Sequence, residues 1–273
     1  MSAPVAASGA KRFAGKVVVL VGAGTDVSGS PTNGSASAIA YAREGARVFV
    51  VDRVEAAARR TVSQIGSEGG AASFLLADVT IEAQVQAAVA EVLAAAGRID
   101  VLHNNVGSTL MGLPPELDLA QWNSALAVNL SSVFLSCKYV LPVMTAQRSG
   151  AIINISSLAS LRDTGYPYPA YSAAKAAVNQ LTVALALQYA REGIRVNAIA
   201  PGYIDSPLIY REISSQYSSV EEMRRERDAH SPTGRMGTPW DVAEASLFLA
   251  SDAASFINGV VLPVDGGQHM RSL

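Results

Sequence analysis

Val17-Val18-Val19-Leu20-Val21-Gly22-Ala23-Gly24 carries a continuous β-branched, apolar stretch into a glycine-rich turn, and a helix-forming segment begins near Gly34 or Ser35. A strand that is apolar without alternation is buried on both faces, as in a parallel sheet covered by helices on each side. The same rhythm continues outward from this point. Val48-Val51, Phe74-Ala77 and Ile99-Asn104 read as strands, with Ala-rich amphipathic helices over 35–44, 55–68 and 82–96 between them. A long helix over 118–147, a strand over Ala151-Ser156, a helix over 170–191 and a strand over Arg195-Ala200 follow. Residues 207–235, the most charged part of the chain, break the alternation before a helix near 240–250 and a last strand near Val260-Val264. These repeated βαβ units predict an α/β fold with a parallel sheet, and 207–235 is expected as a helical excursion over one sheet edge.

Of 273 residues, 49% are apolar and 16% charged, which supplies a sizeable core. No Pro/Gly/Ser-rich linker divides the chain, so 1–273 is expected to be one domain with an N-terminal extension at 1–13. With 23 acidic and 21 basic side chains the net charge is −2, and no basic stripe is available to neutralise phosphates. Nucleic acid and membrane are therefore poor partners, and a small molecule is expected. Cys137, the only cysteine, excludes an internal disulfide and a cysteine-rich metal site and suits a reducing compartment. The opening MSAPVAASGAKRF lacks the apolar run of a signal peptide, and no stretch reaches the ~18 consecutive apolar residues of a membrane span. A cytoplasmic protein is expected.

The turn after the first strand lies where an open parallel sheet places a phosphate. Glycine lets the backbone approach a ligand there, and free N–H groups at the helix N-terminus attract a pyrophosphate. Asp52 ends the second strand, 18 residues after Gly34, where a carboxylate can accept hydrogen bonds from ribose hydroxyls and repel a 2′-phosphate. Arg53 is adjacent, yet the glycine loop contributes no Lys or Arg to a phosphate clamp. These features favour NAD over NADP.

Three further pieces fall in order along the chain. Asn104-Asn105-Val106-Gly107 follows the fourth strand, Asn154-Ile155-Ser156-Ser157 ends the fifth, and Tyr171-Ser172-Ala173-Ala174-Lys175 opens the next helix. With Pro201-Gly202 and Val264-Asp265-Gly266-Gly267, this pattern resembles the main single-domain branch of the short-chain dehydrogenase/reductase superfamily over about residues 14–268. The resemblance implies a doubly wound Rossmann fold with a seven-stranded parallel sheet, NAD(P)-linked oxidation or reduction, and a catalytic tetrad of Asn129, Ser157, Tyr171 and Lys175. Tyr171 and Lys175, four residues apart, share a helix face, so the ammonium is expected to favour the ionised phenol. Tyr171 would move the proton, Lys175 would also hold the nicotinamide ribose, Ser157 would orient the substrate oxygen, and Asn129 would support a water on the way to solvent. Asp78 and Val79 would sit beside the adenine, Asn105 and Gly107 under the adenosine half, and Pro201, Gly202, Ile204 and Ser206 against the nicotinamide.

The glycine loop departs from the family pattern. Its first and third glycines usually stand six apart, whereas Gly34 lies twelve residues after Gly22, and Val21 replaces a frequent threonine. The added stretch within Thr25–Asn33 is expected to touch the dinucleotide through Gly22, Thr25, Asn33 and neighbouring backbone.

No metal is expected. Cys137 reads as a packed core residue, His103 as a satisfied strand-end histidine, and 221–227 as a solvated helix carrying i,i+3 and i,i+4 ion pairs. The substrate pocket is expected to be lined by Thr109, Leu110, Arg162, Tyr166, Tyr168, Tyr203, Leu208 and Tyr210 beneath a lid formed by 207–235. Arg162 is open to two readings, as a substrate-carboxylate ligand or as a surface charge. The leading function is an NAD-dependent dehydrogenase or reductase of a cyclic or aryl secondary alcohol or ketone. A 3-oxoacyl-thioester reductase and a non-catalytic dinucleotide sensor are the alternatives. By resemblance a homotetramer is expected, formed through 118–147 and 170–191, where Val133, Leu135, Val140, Leu185 and Leu187 spread over more than one helix face.

Overall fold

A computed structural model describes residues 11–25 and 30–271. Asp26–Gly29, at the heart of the lengthened glycine loop, and most of the 1–13 extension lie outside the described residues. Seven strands form one parallel sheet: β1 (Val17–Val21), β2 (Arg47–Asp52), β3 (Ala71–Leu76), β4 (Val101–Asn104), β5 (Gly150–Ile155), β6 (Ile194–Pro201) and β7 (Val261–Val264). Their spatial order is β3-β2-β1-β4-β5-β6-β7. The order reverses between β1 and β4, which pair in parallel from Val18 opposite Val101 to Val21 opposite Asn104. In such a doubly wound sheet the ligand crevice opens beyond the strand carboxyl ends at this reversal.

The nine helices of the described residues are α1 (Asn33–Arg43), α2 (Glu55–Ser67), α3 (Glu82–Ala96), α4 (Leu119–Leu126), α5 (Ser132–Gln147), α6 (Pro169–Tyr189), α7 (Pro207–Glu212), α8 (Val220–His230) and α9 (Pro239–Ala250). Successive strand residues point to opposite faces, and each face has its own core. Val18 and Leu20 pack with Ile39, Ala58 and Leu247 from α1, α2 and α9. Val17, Val19 and Val21 pack with Val92, Val140 and Val178 from α3, α5 and α6. Local chemistry sets the helix starts. Thr32 caps α1 by accepting from Ser35 N–H at 3.0 Å while Ser35 Oγ accepts from Thr32 N–H, a reciprocal capping box. Thr238 and Asp118 cap α9 and α4 in the same way.

The helix expected over 118–147 runs continuously over Leu119–Gln147. A π-turn at Ala127–Ser131 widens it where α4 passes into α5. By length and composition alone Leu119–Gln147 could cross a membrane. In this fold α5 is a core helix, burying Val133, Cys137, Val140, Leu141 and Met144 against the sheet. Burial pushes the Cys137 thiol up to about 12, consistent with an inert packed residue.

Residues 207–235 fold as α7, a 3-10 turn at Ser214–Gln216 and α8. They lie over the loops that leave β5 and β6, so the expected position over a sheet edge is corrected. Ile209, Ile213 and Met223 form a third, smaller core with Ala159, Tyr168 and Met236. The reading of 221–227 as a wholly solvated helix is also corrected. Met223 and Arg227 are buried on one face, and the ion pair from this run joins Arg224 to Asp205, outside it, at 3.0 Å.

Candidate active site

A cleft of about 680 Å³ runs along the carboxyl ends of the strands. Its walls include Gly22, Asn33, Asp52, Asp78, Val79, Asn105, Gly107, Ser157, Tyr171, Lys175, Pro201, Gly202, Ile204 and Ser206, which sequence reasoning had scattered over most of the chain. The α/β topology brings them to one crevice because each lies at or after the carboxyl end of a strand or in the first turns of the helix that follows it.

At the end beside β1 and β2 the backbone itself shapes the wall. Gly22 has φ +81°, accessible to glycine at little cost, and its carbonyl accepts from Asn105 Nδ2 at 2.8 Å. A Cβ at Gly34 would collide with that carbonyl and lie 2.7 Å from Asn105 Nδ2, so the first turn of α1 can seat only a glycine here. Gly34 therefore permits close packing and does not itself line the cleft. Asn33 does line it, and its Oδ1 is buried without a hydrogen-bond partner among the described residues. An N-terminal helix turn and a backbone cradle fit a dinucleotide pyrophosphate, and the Asn33 oxygen, an acceptor, fits a hydroxyl beside it. Asp52 Oδ2 accepts from Gly24 N–H at 2.8 Å and Oδ1 from Val54 N–H at 3.0 Å, which fixes the carboxylate at the rim. Asp78 accepts from the Thr80 N–H and hydroxyl, and these bonds hold its carboxyl below the usual range.

Thr25 is placed differently from expectation. It is buried and does not line the cleft; its hydroxyl donates to the Ser30 carbonyl, and its own carbonyl accepts from Arg60 Nε at 2.7 Å. It ties the loop to α2.

Farther along, α6 begins at Pro169, so Tyr171 and Lys175 occupy its first turns on one face. Lys175 is 2% exposed, and its Nζ donates to the carbonyls of Ile155 at 2.9 Å and Val106 at 3.4 Å. Burial lowers it to about 8. Ser157 leaves β5 in extended conformation and accepts from Ala159 N–H at 3.2 Å. Burial raises the Tyr171 pKa, a hydrogen bond with Ser157 opposes the rise, and the Glu212 carboxylate adds to it. The expectation that Lys175 sets an ionised phenol is thus corrected. Its ammonium stands 5.8 Å from the Tyr171 ring centroid, tied to backbone oxygens, and desolvation dominates the phenol.

Asn129 sits in the π-turn, a local widening that often marks functional positions. Its side chain clamps one residue in both directions: Oδ1 accepts from Ser108 N–H at 3.2 Å and Nδ2 donates to Ser108 O at 3.0 Å. Across Gly107 it faces Lys175, since a Cβ at that glycine would lie 3.2 Å from Asn129 Oδ1 and 3.1 Å from Lys175 Nζ. It fixes the Gly107–Ser108 wall from behind.

The substrate end differs from the expected lining in instructive ways. Thr109, Tyr166, Tyr168, Tyr203 and Leu208 line the cleft, whereas Leu110, Arg162 and Tyr210 do not. Arg162 Nη1 donates to the carbonyls of Gln268, His269 and Arg271, so it holds the C-terminal segment and is not a substrate ligand. Tyr210 turns to Asp205, 2.6 Å away. Two residues passed over in the sequence take their places: Glu212, which accepts from the Thr109 N–H and hydroxyl at 2.8 Å each, and Arg227. The i,i+4 pairing of Met223 with Arg227 was the available signal, because an apolar residue one turn away marks an inward face. His103 is fully buried, with neither ring nitrogen hydrogen-bonded, so it is not the satisfied histidine expected. Burial holds it neutral, down to about 3, against the edge of Tyr41.

Residues 33–269 match the family described as enoyl-(acyl carrier protein) reductase. The 2,5-dichloro-2,5-cyclohexadiene-1,4-diol dehydrogenase LinX of Sphingobium indicum is 36% identical over 94% of this chain and 98% of its own. A crystal structure assigned to the short-chain dehydrogenases/reductases, from Burkholderia xenovorans, superposes with TM-score 0.93 at 42% identity, covering 97% of this chain and 100% of that one. A gluconate 5-dehydrogenase from Burkholderia cenocepacia J2315, solved in complex with NADP and tartrate, gives TM-score 0.86 at 32% identity over 96% and 99%. Similarity that runs nearly end to end in both sequence and fold leaves one assignment: the chain is an oxidoreductase belonging to the short-chain dehydrogenase/reductase family.

Proposed function

We propose that the protein is an NAD-dependent dehydrogenase that interconverts a secondary alcohol, cyclic or aryl, with its ketone. The observation that carries this reading is the convergence of Ser157, Tyr171 and Lys175 on one cleft whose other end is a glycine-cradled helix N-terminus. Gly22, Asn33, Asp52, Asp78, Val79, Asn105, Gly107, Pro201, Gly202, Ile204 and Ser206 would hold the dinucleotide. When bound, the nicotinamide dinucleotide accepts or delivers the hydride.

The protein's own groups handle the proton and the geometry. The Ser157 hydroxyl, which draws the Tyr171 pKa down against burial, would hold the substrate oxygen within reach of the phenol. In oxidation the Tyr171 phenolate takes the alcohol proton; in reduction the phenol returns it to the carbonyl oxygen. Lys175, tied to the Ile155 and Val106 carbonyls beside this step, would hold the ribose. Asn129 would keep the Gly107–Ser108 wall and the ammonium in register. The aromatic wall of Tyr166, Tyr168 and Tyr203 suits a ring substrate, and α7 and α8 would serve as its lid. That LinX is named for a cyclohexadiene diol supports a ring as well.

Asp52 at the rim of the adenosine end supports NAD, since its carboxylate would repel a 2′-phosphate. The matched family description favours one second reading, a thioester-linked acyl reductase. A spectrophotometric panel separates the two: secondary alcohols with NAD and with NADP, and an acetoacetyl and a crotonyl thioester each with NADH and NADPH. NAD-linked oxidation of a cyclic alcohol supports the dehydrogenase; better use of NADP, or turnover of a thioester alone, contradicts it.

The assembly reading narrows. Val133 and Val140 belong to the monomer core and cannot form an interface, whereas Phe134 on α5 and Leu187 on α6 are 52% and 75% exposed. A homotetramer built on α5 and α6 would bury these two residues, and a monomer in light scattering would contradict it.

A further inference from the structure

Arg227 is the feature that the hydride-transfer chemistry leaves unexplained. It projects from α8 into the cleft wall, yet the residue is only 4% exposed. A buried guanidinium costs several kcal/mol unless a counterion compensates it. Among the described residues no carboxylate lies within ion-pairing distance of it. The neighbouring acids are committed elsewhere: Glu212 to Thr109 and to Arg211, 3.1 Å away, Asp205 to Arg224, and Asp228 to the Met236 N–H at 2.7 Å.

Neutral partners hold Arg227 in place without cancelling its charge. Nη1 donates to the Tyr166 hydroxyl at 2.7 Å, the Tyr166 and Tyr217 hydroxyls are hydrogen-bonded, and the guanidinium lies 4.0 Å from the Tyr203 ring centroid. Nε meets Met236 Sδ at 3.4 Å, while Nη2 makes no hydrogen bond among the described residues. An arginine stacked on one tyrosine and anchored by another is preorganised, with its remaining donors free for a planar anion.

The tyrosines connect this cation to the reacting end. Tyr168 lies 5.3 Å from Tyr171, Tyr166 lies 5.5 Å from Tyr168, and Arg227 lies 5.9 Å from Tyr166. We infer that Arg227 is a substrate-anion receptor and that the substrate is a ring hydroxy acid, its carboxylate on Arg227 and its carbinol at Tyr171. This inference rests on the dehydrogenase reading of the same cleft. Carboxylate binding would supply the missing counterion and fix which ring carbon faces the phenol.

The test compares 4-hydroxycyclohexanecarboxylate with its neutral isostere 4-hydroxycyclohexanecarboxamide, using the full chain and NAD. Wild type is expected to prefer the acid by about tenfold or more in kcat/KM, the span of a charge-assisted hydrogen bond. Arg227→Gln should bring the acid-to-amide ratio close to one, chiefly through KM, and Arg227→Lys should restore part of it. Should the variants fold poorly, wild type alone decides: cyclohexanecarboxylate should inhibit oxidation of cyclohexanol competitively, and cyclohexanecarboxamide should not. Equal turnover of acid and amide, or no inhibition by the carboxylate, overturns the anion site and leaves the dehydrogenase standing. A rise in unfolding temperature with cyclohexanecarboxylate, lost in Arg227→Gln, while no alcohol is oxidised, overturns the dehydrogenase and keeps the anion site.

Discussion

Glu212 Oε2 accepts from both the backbone N–H and the hydroxyl of Thr109, each at 2.8 Å, which pins a lid carboxylate against the loop that leaves β4. From there its negative charge raises the pKa of Tyr171. A phenolate beside a carboxylate is disfavoured, so replacing the carboxylate with a neutral amide favours the phenolate.

Glu212→Gln is therefore expected to move the rising, acid-side limb of the kcat/KM profile for alcohol oxidation to lower pH. The measurement is the pH dependence of oxidation in wild type and variant. A limb that stays in place, or moves to higher pH, contradicts this coupling.

Lys175→Met should separate activity from stability. Burial puts Lys175 near 8 in the folded protein, below its ordinary value of 10.5, so the unfolded chain binds the extra proton between those values. The destabilisation is full below about pH 8 and fades as pH rises through 10.5. The methionine variant is expected to lose activity yet unfold a few degrees higher at neutral pH, with the gain vanishing in strong alkali. Thermal melts across this pH range check it; a large loss of stability at neutral pH refutes it.

Gly34→Ala tests the cradle. Its methyl group would meet the Gly22 carbonyl and Asn105 Nδ2, and such overpacking typically costs about 1–3 kcal/mol. Calorimetry should show weaker NAD binding together with a lower unfolding temperature. Unchanged affinity means that the first turn of α1 does not carry the dinucleotide.

Asp52→Asn retains an acceptor for Gly24 or Val54 but removes the charge. The preference for NAD over NADP in kcat/KM should fall by about tenfold, equivalent to roughly 1.4 kcal/mol. An unaltered ratio places the selectivity elsewhere.

The strands and most helices were legible because their signal is local. Val17–Val21 and Val48–Val51 are apolar without alternation, and Glu82–Ala96 was bounded correctly from its periodicity. The motif residues were legible as an ordered set, since Asn105 and Ser157 follow strand ends directly and Tyr171 opens the next helix. The substrate end was not, because it is assembled across the lid. Charge in Glu221–Arg227 outweighed the Met223 spacing and suggested solvent, whereas packing against Tyr166 and Tyr203 turns Arg227 inward. Arg162 failed for the converse reason: its partners are backbone carbonyls more than a hundred residues away, which no pattern announces. The Tyr171–Lys175 spacing correctly predicted a shared helix face, but the balance between desolvation and charge depends on three-dimensional burial.

The most direct test is Tyr171→Phe, assayed for NAD-linked alcohol oxidation and, by calorimetry, for NAD binding. The substitution removes one hydroxyl, the group that exchanges the proton. Oxidation should fall by about 10²–10⁴-fold, the usual worth of a positioned acid–base group, while NAD affinity stays within a few-fold of wild type. Turnover close to wild type would contradict proton transfer through Tyr171.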